Sequence, residues 1–138
     1  MAPIIRSASL DDVEAVLDLW RRAEALASVT DDTAGLRRLI DHDPDAVVVA
    51  SDGGVLVGSV VAAWDGWRGS IYRLVVDRTH RRRGLGRRLV AEAEARLERR
   101  GARRLQAVVV ASEGPATEFW RAGTWEEQAG RLRFVRSP

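Results

Sequence analysis

Leu10, Val13, Leu17 and Trp20 recur at helical spacing in an otherwise largely polar stretch and predict an amphipathic helix over about 10–27. Ser9 and Asp12 ahead of it form a capping-box pattern, with Asp in place of Glu or Gln. "PIIRSA" before them predicts a short strand. A second helix fits "DTAGLRRLIDH", with Leu36, Leu39 and Ile40 inward, and Pro44 keeps Asp43 out of the helical region. The period then shortens. "AVVVAS" and "VLVGSVVAAW" read as strands joined by the hairpin signal "DGG", and Gly58 suits a bulge. After the loop "DGWRG" comes a third strand of this group, "SIYRLVV".

Leu85, Leu89, Val90, Ala93 and Leu97 lie on one face of a long helix, Glu92 and Arg96 are spaced to pair, and Gly101 suits its C-terminal cap. "RLQAVVVA" reads as a strand buried on both faces. "GPATEFWRA" opens a short helix with Pro115 in its first turn. "TWEEQ" and "RLRFVR" are expected to close the chain as two strands around Gly130. The order β-α-α-β-β-β-α-β-α-β-β implies an α/β fold, a mixed central β-sheet with helices on both faces.

The 138 residues fit one domain over 1–138, and 46% hydrophobic with 30% charged residues is ordinary for a soluble protein. There is no cysteine, which excludes disulfides, thiolate metal sites and a cysteine nucleophile. No metal site is expected. The start "MAPIIRSASLDD" has no apolar segment of secretory length and no apolar run approaches a membrane span, so a cytoplasmic location without membrane contact is expected. Charge changes the picture more. All 22 basic residues are arginine, against 20 acids. Residues 78–104 hold eleven arginines and three glutamates, a local net of +8, while the rest of the chain carries eleven arginines against seventeen acids, a net of −6. An anionic partner belongs at that segment.

Its core, "RTHRRRGLGRRLV", sits between a predicted strand and a predicted helix. Glycines opening a helix expose backbone N–H groups at the positive end of its dipole, and guanidinium groups beside them add charge-assisted hydrogen bonds. This suits a pyrophosphate. The dinucleotide fingerprint fails because position 89 is leucine, and the P-loop pattern fails because the chain has no lysine. A nucleic-acid reading lacks support: residues 78–104 contain no Phe, Trp or Tyr on which bases could stack.

What remains is R-x-x-G-x-G at Arg81, Gly84 and Gly86. With the preceding "LVVD" and the element order, the chain resembles the GCN5-related N-acetyltransferase (GNAT) family, and "WDGWRGSIYRLVVD" looks especially like its small bacterial members. The resemblance implies the acyl-CoA N-acyltransferase fold, acetyl-CoA as cosubstrate and a primary amine of a small molecule or protein as acceptor, with direct transfer in a ternary complex. Backbone N–H groups of Arg82, Arg83, Gly84, Leu85, Gly86 and Arg87 would hold the pyrophosphate next to Arg81. Main-chain groups of Leu74, Val75 and Val76 would pair with the pantetheine arm in a splay between two strands, and an N–H near Val76 would face the oxyanion. Dimers are common in the family, and "TWEEQ" and "RLRFVR" could form an edge for a homodimer, but the sequence does not fix the oligomeric state.

The proton-transfer residues depart from the family pattern. Trp120 stands where many members carry a tyrosine, and Glu113 replaces a common asparagine. Positions where some relatives place a glutamate read Ser70 and Val108. Tyr72 and Glu113 are the catalytic candidates, with His80 and Asp65 behind them. Each also has an ordinary structural use: a strand tyrosine, a helix-capping carboxylate, a loop histidine, a turn aspartate. Trp64, Trp67 and Trp120 are candidates for an acceptor wall that binds apolar or cationic groups, or are ordinary packing. The missing acid and base keep a second reading open, a non-catalytic acyl-CoA-binding module on the same fold.

Overall fold

A computed structural model of the protein describes residues 2–23, 25, 27–109 and 114–138. It divides into two units, Met1–Ala107 and Val108–Pro138. The first holds a five-stranded sheet in the order β1 (Ile4–Ser7), β2 (Val47–Asp52), β3 (Val55–Trp64), β4 (Gly69–Val76), β5 (Leu105–Ala107). Pairings β1–β2, β2–β3 and β3–β4 are antiparallel, and β5 joins β4 in parallel. Helix α1 is Val13–Arg22, α2 is Thr33–His42 and α3 is Leu85–Arg99.

The β2–β3 hairpin turns on Gly53 and Gly54, at φ +59° and +82°. Two left-handed positions in sequence suit a two-residue turn matched to sheet twist, and only glycine adopts them freely. Alternation then sorts the sheet's faces. Val47, Val49, Leu56, Val61 and Val75 bury with Val13, Val16, Leu19 and Trp20 of α1 and Leu36 and Ile40 of α2. The other face takes α3. A side chain at Gly58 would meet Leu89 at 2.9 Å and Leu85 at 3.4 Å, so glycine here lets α3 approach the sheet. Helices therefore cover both faces, as expected.

Caps follow the sequence. Asp12 accepts from Ser9 N–H at 2.7 Å, Asp32 accepts from Gly35 N–H at 2.7 Å to start α2, and Asp43 leaves α2 extended before Pro44. Gly101 follows α3 at φ +102°. Helix α3 is tied to the β1–β2 edge by its own arginines. Arg88 donates to Pro3 O, Arg96 to Glu92 and Ser7, and Arg100 grips buried Asp43 with two bonds of 2.9 and 2.7 Å. Arg88, Arg96 and Arg100 of the basic segment are thus committed to internal hydrogen bonds and ion pairs.

Three expectations need correction. The first helix is shorter than 10–27: a 3-10 turn at Leu10–Asp12 leads into α1, which stops at Arg22, and Ala25 N–H returns to Trp20 O. The following chain is drawn instead to β4, where Asp31 pairs with Arg73. The strand after α3 covers Leu105–Ala107 and does not include Val108 and Val109, while Val110 and Ala111 of the expected strand lie outside the described residues. The closing strands are absent among the described residues: in the second unit α4 (Gly114–Ala122) is followed by irregular chain, with Leu132, Phe134 and Val135 exposed. Their alternation suits a strand face, yet a strand needs a hydrogen-bonding neighbour. Within this unit Trp120 packs edge-on against Trp125, with ring centres 4.9 Å apart, and Arg121 pairs with Glu127.

Candidate active site

The chain leaves β4 at Val76 and reaches α3 through the arginine-glycine turn. Asp77 N–H bonds Val57 O at 2.8 Å, and its carboxylate accepts from Arg22 at 2.8 Å while capping the 3-10 turn Arg78–His80. His80 Nε2 lies 2.8 Å from Asp52, and Thr79 Oγ1 lies 2.8 Å from its Nδ1. The hydrogen bond from His80 holds the Asp52 carboxyl below its ordinary range. Arg81 folds back to donate to Val76 O at 3.0 Å. These contacts fix both ends of the turn. Arg22, Asp52 and Asp77 were not expected at the site, and no local pattern marks charges 28 and 55 residues apart as partners.

Between these ends the backbone passes through left-handed positions at Arg82 (φ +63°) and Gly84 (φ +79°), a form that turns successive N–H groups toward a common concavity for an anion. The first α3 hydrogen bond runs from Arg88 N–H to Gly84 O. The N–H groups of Leu85, Gly86 and Arg87 therefore precede the helical ladder at its positive end. A Cβ at Gly84 would meet nothing within 4 Å, so the space before the helix is open. Leu85 is buried and anchors the turn in the core. Among the described residues no hydrogen bond or ion pair holds Arg82, Arg83 or Arg87. The cradle carries the charge and donors a diphosphate needs.

The β4 edge supplies the second half. Among the described residues, pairing with β5 covers Gly69, Ser70 and Ile71 only, although β4 continues to Val76. Strand residues alternate in turning their backbone groups to one neighbour and then the other. Val75 is in register with Ser59, and Asp77 bonds Val57, so both face β3. Leu74 and Val76 turn the other way, toward the edge that β5 has left. An extended amide arm can pair with that edge as an added strand.

Tyr72 is in register with Val61 and Ser70 with Ala63, so both lie on the α1–α2 face. Ser70 accepts from Gln106 at 3.0 Å, and Tyr72 is 45% exposed. Tyr72 thus stands in solvent beside the open edge. Trp64 is opposite Gly69, whose absent side chain would strike Leu97 of α3. That places Trp64 on the α3 face, away from Tyr72. Trp67 is exposed in the β3–β4 turn with the Arg68 guanidinium 4.1 Å from its ring. The three tryptophans are not brought together within the first unit, since Trp120 belongs to the second. Asp65 is occupied in that turn, accepting from Trp67 N–H and Arg68 N–H at 2.8 and 2.6 Å, and these bonds lower its pKa. His80 has both ring nitrogens engaged. Glu113 lies outside the described residues.

A family model described as the acetyltransferase (GNAT) family matches residues 13–124, across both units. The chain belongs to the GNAT acetyltransferase family. An acetyltransferase of Pectobacterium atrosepticum is 39% identical over 105 residues, 76% of this chain and 74% of that one. Ard1 of Thermoplasma volcanium matches with a TM-score of 0.78 at 21% identity, covering 88% of this chain and 81% of that structure. PaiA N-acetyltransferase of Thermoplasma acidophilum, solved with coenzyme A, matches at 0.75 with 16% identity and 88% coverage of each. The acyl-CoA N-acyltransferase fold and the acetyltransferase class expected from the sequence are what this GNAT chain has. Among the described residues no helix is long and apolar enough to cross a membrane.

Proposed function

We propose that this GNAT protein transfers acetyl from acetyl-CoA to a primary amine in a ternary complex, and that 1–138 works as one cytoplasmic N-acetyltransferase domain. The observation that carries the reading is the loss of β5 pairing after Ile71, just where the β4 edge runs on into the amide cradle at Gly84. The pantetheine arm pairs with Leu74 and Val76, alongside Val75. The diphosphate sits on N–H groups from Arg82, Arg83, Gly84, Leu85, Gly86 and Arg87, with loose guanidinium groups closing over it.

Amine acetylation needs a neutral amine, a stabilised oxyanion and a proton for the departing thiolate. An N–H of the open β4 edge serves the oxyanion. Tyr72 is the proposed proton donor, because its hydroxyl stands on the accessible side of that edge; Glu113 is the second candidate. A chain without cysteine has no thiol to carry the acetyl group between two half-reactions.

Thiol release from acetyl-CoA across a panel of small amines and peptide N-termini tests the reading, with calorimetry of coenzyme A alongside. Binding together with amine-dependent thiol release supports it. Tight binding without turnover on any amine overturns the catalytic half and leaves a binding module. Tyr72→Phe is expected to lower kcat by about 10²-fold with KM for acetyl-CoA unchanged.

A further inference from the structure

The β4 bulge is held from outside its own strand. Between the pairs Ser59–Val75 and Val61–Tyr72, β4 uses one residue more than β3. There Arg73 takes φ +53°, left-handed backbone that a side chain disfavours and that other contacts must hold. Ser59 is wholly buried, with Oγ 3.0 Å from Arg73 O and 2.8 Å from Trp20 Nε1. An indole nitrogen only donates, so Ser59 accepts from Trp20 and its own proton goes to the Arg73 carbonyl. The Arg73 guanidinium is gripped by Asp31, with Nε 3.2 Å from Oδ1 and a closer second contact to Oδ2, and it lies 5.4 Å from the centre of the Trp20 ring. Asp31 also accepts from Ser28 N–H at 2.8 Å, which fastens the loop between α1 and α2 to the same point.

A trans peptide plane passes this constraint on. The C=O of one residue and the N–H of the next point in opposite directions, and the chain has no cis bond among its described residues. Ser59 draws the Arg73 carbonyl toward β3. The Leu74 N–H is therefore aimed away from β3, at the edge where β5 pairing has ended. We propose that Trp20, Ser59 and Asp31 are positioning residues for acyl transfer: acting through Arg73, they aim the Leu74 N–H at the carbonyl oxygen of the bound thioester. The inference rests on the open β4 edge being the coenzyme-arm site. It makes the α1–α2 loop a support of the acyl centre.

The test reads the thioester itself and needs no acceptor. Acetyl-CoA labelled with 13C at the acetyl carbonyl is bound to the folded protein, and its carbonyl resonance is compared with that of free acetyl-CoA. Wild type is expected to move it downfield, as a hydrogen bond to the oxygen does. Ser59→Ala is expected to lose most of that displacement while coenzyme A affinity by calorimetry stays at the wild-type value. Asp31→Asn loses a smaller part in the same direction. Ser59→Ala strands the buried Trp20 N–H, so a Trp20→Phe/Ser59→Ala pair replaces it if the single variant does not fold. Acetyl-CoA that binds wild type with no carbonyl displacement overturns the inference and leaves the coenzyme site standing. So does a full displacement retained in folded Ser59→Ala and Asp31→Asn. A wild type that binds no coenzyme A sinks the underlying site instead.

Discussion

Replacing Gly84 separates two effects that meet at one atom. A Cβ there meets nothing within 4 Å, so substitution creates no clash, but φ is +79°. Any L side chain at that angle costs about 1–2 kcal/mol, which lowers Tm by roughly 3–10 °C in a domain of this size. Gly84→Ala and Gly84→Glu share this penalty. They differ in the charge placed before α3. A carboxylate about 6 Å from a diphosphate bearing about two charges is repelled by about 1.4 kcal/mol in bulk water and by a few times more near a protein surface. Screening at physiological salt removes about half. The net is about 1–3 kcal/mol, so coenzyme A should bind Gly84→Glu about five- to a hundredfold more weakly than Gly84→Ala. Calorimetry on both folded variants, with Tm measured beside it, gives the comparison. Equal coenzyme affinities for the two would refute a diphosphate site at this helix mouth.

Other variants probe the rest of the account. Arg82→Ala and Arg87→Ala are each expected to weaken coenzyme A by about tenfold or less with little change in Tm, and the wild-type affinity should fall as salt rises; calorimetry across a salt series checks both. Arg100→Ala removes the two-bond grip on buried Asp43 and is expected to cost about 2 kcal/mol in denaturant unfolding while leaving coenzyme affinity alone. Gly58→Val drives methyl groups into Leu89 and Leu85 and should destabilise the protein by about 1–3 kcal/mol. The hydrogen bonds from Arg6 hold the Asp12 carboxyl down at about 2. A lowered carboxyl pKa gives stability that is complete above the unfolded value near 4 and is lost as pH falls through about 2. With Arg6 partly in solvent, the contribution is about 1 kcal/mol. The Tm gap between wild type and Asp12→Asn should therefore be full at pH 6 and close toward pH 2.

Local signals made most of this architecture legible. The leucines of α3, the paired glycines of the β2–β3 turn, the Ser9–Asp12 cap and the Asp43-Pro44 stop each act within a few residues, so a linear reading recovers them. The glycine turn that opens α3 was legible for the same reason, since its glycines lie between a strand and a helix in sequence. The bulge at Arg73 was not. It depends on a hydroxyl 14 residues away and a carboxylate 42 residues away, and "SIYRLVV" carries no glycine to mark it. The length of α1 was misread because apolar spacing past Arg22 continues while tertiary contacts take the chain elsewhere. Strand parity was open to the sequence as well, yet which face each side chain takes needs the register: Trp64 lies opposite Gly69 and Tyr72 opposite Val61, one residue of parity apart.

A crystal structure with coenzyme A bound tests the central claim most directly. The account predicts diphosphate oxygens within hydrogen-bond distance of the N–H groups that open α3, and pantetheine amides paired with Leu74 and Val76. Coenzyme A seated anywhere else, with the β4 edge bare beyond Ile71, would contradict it.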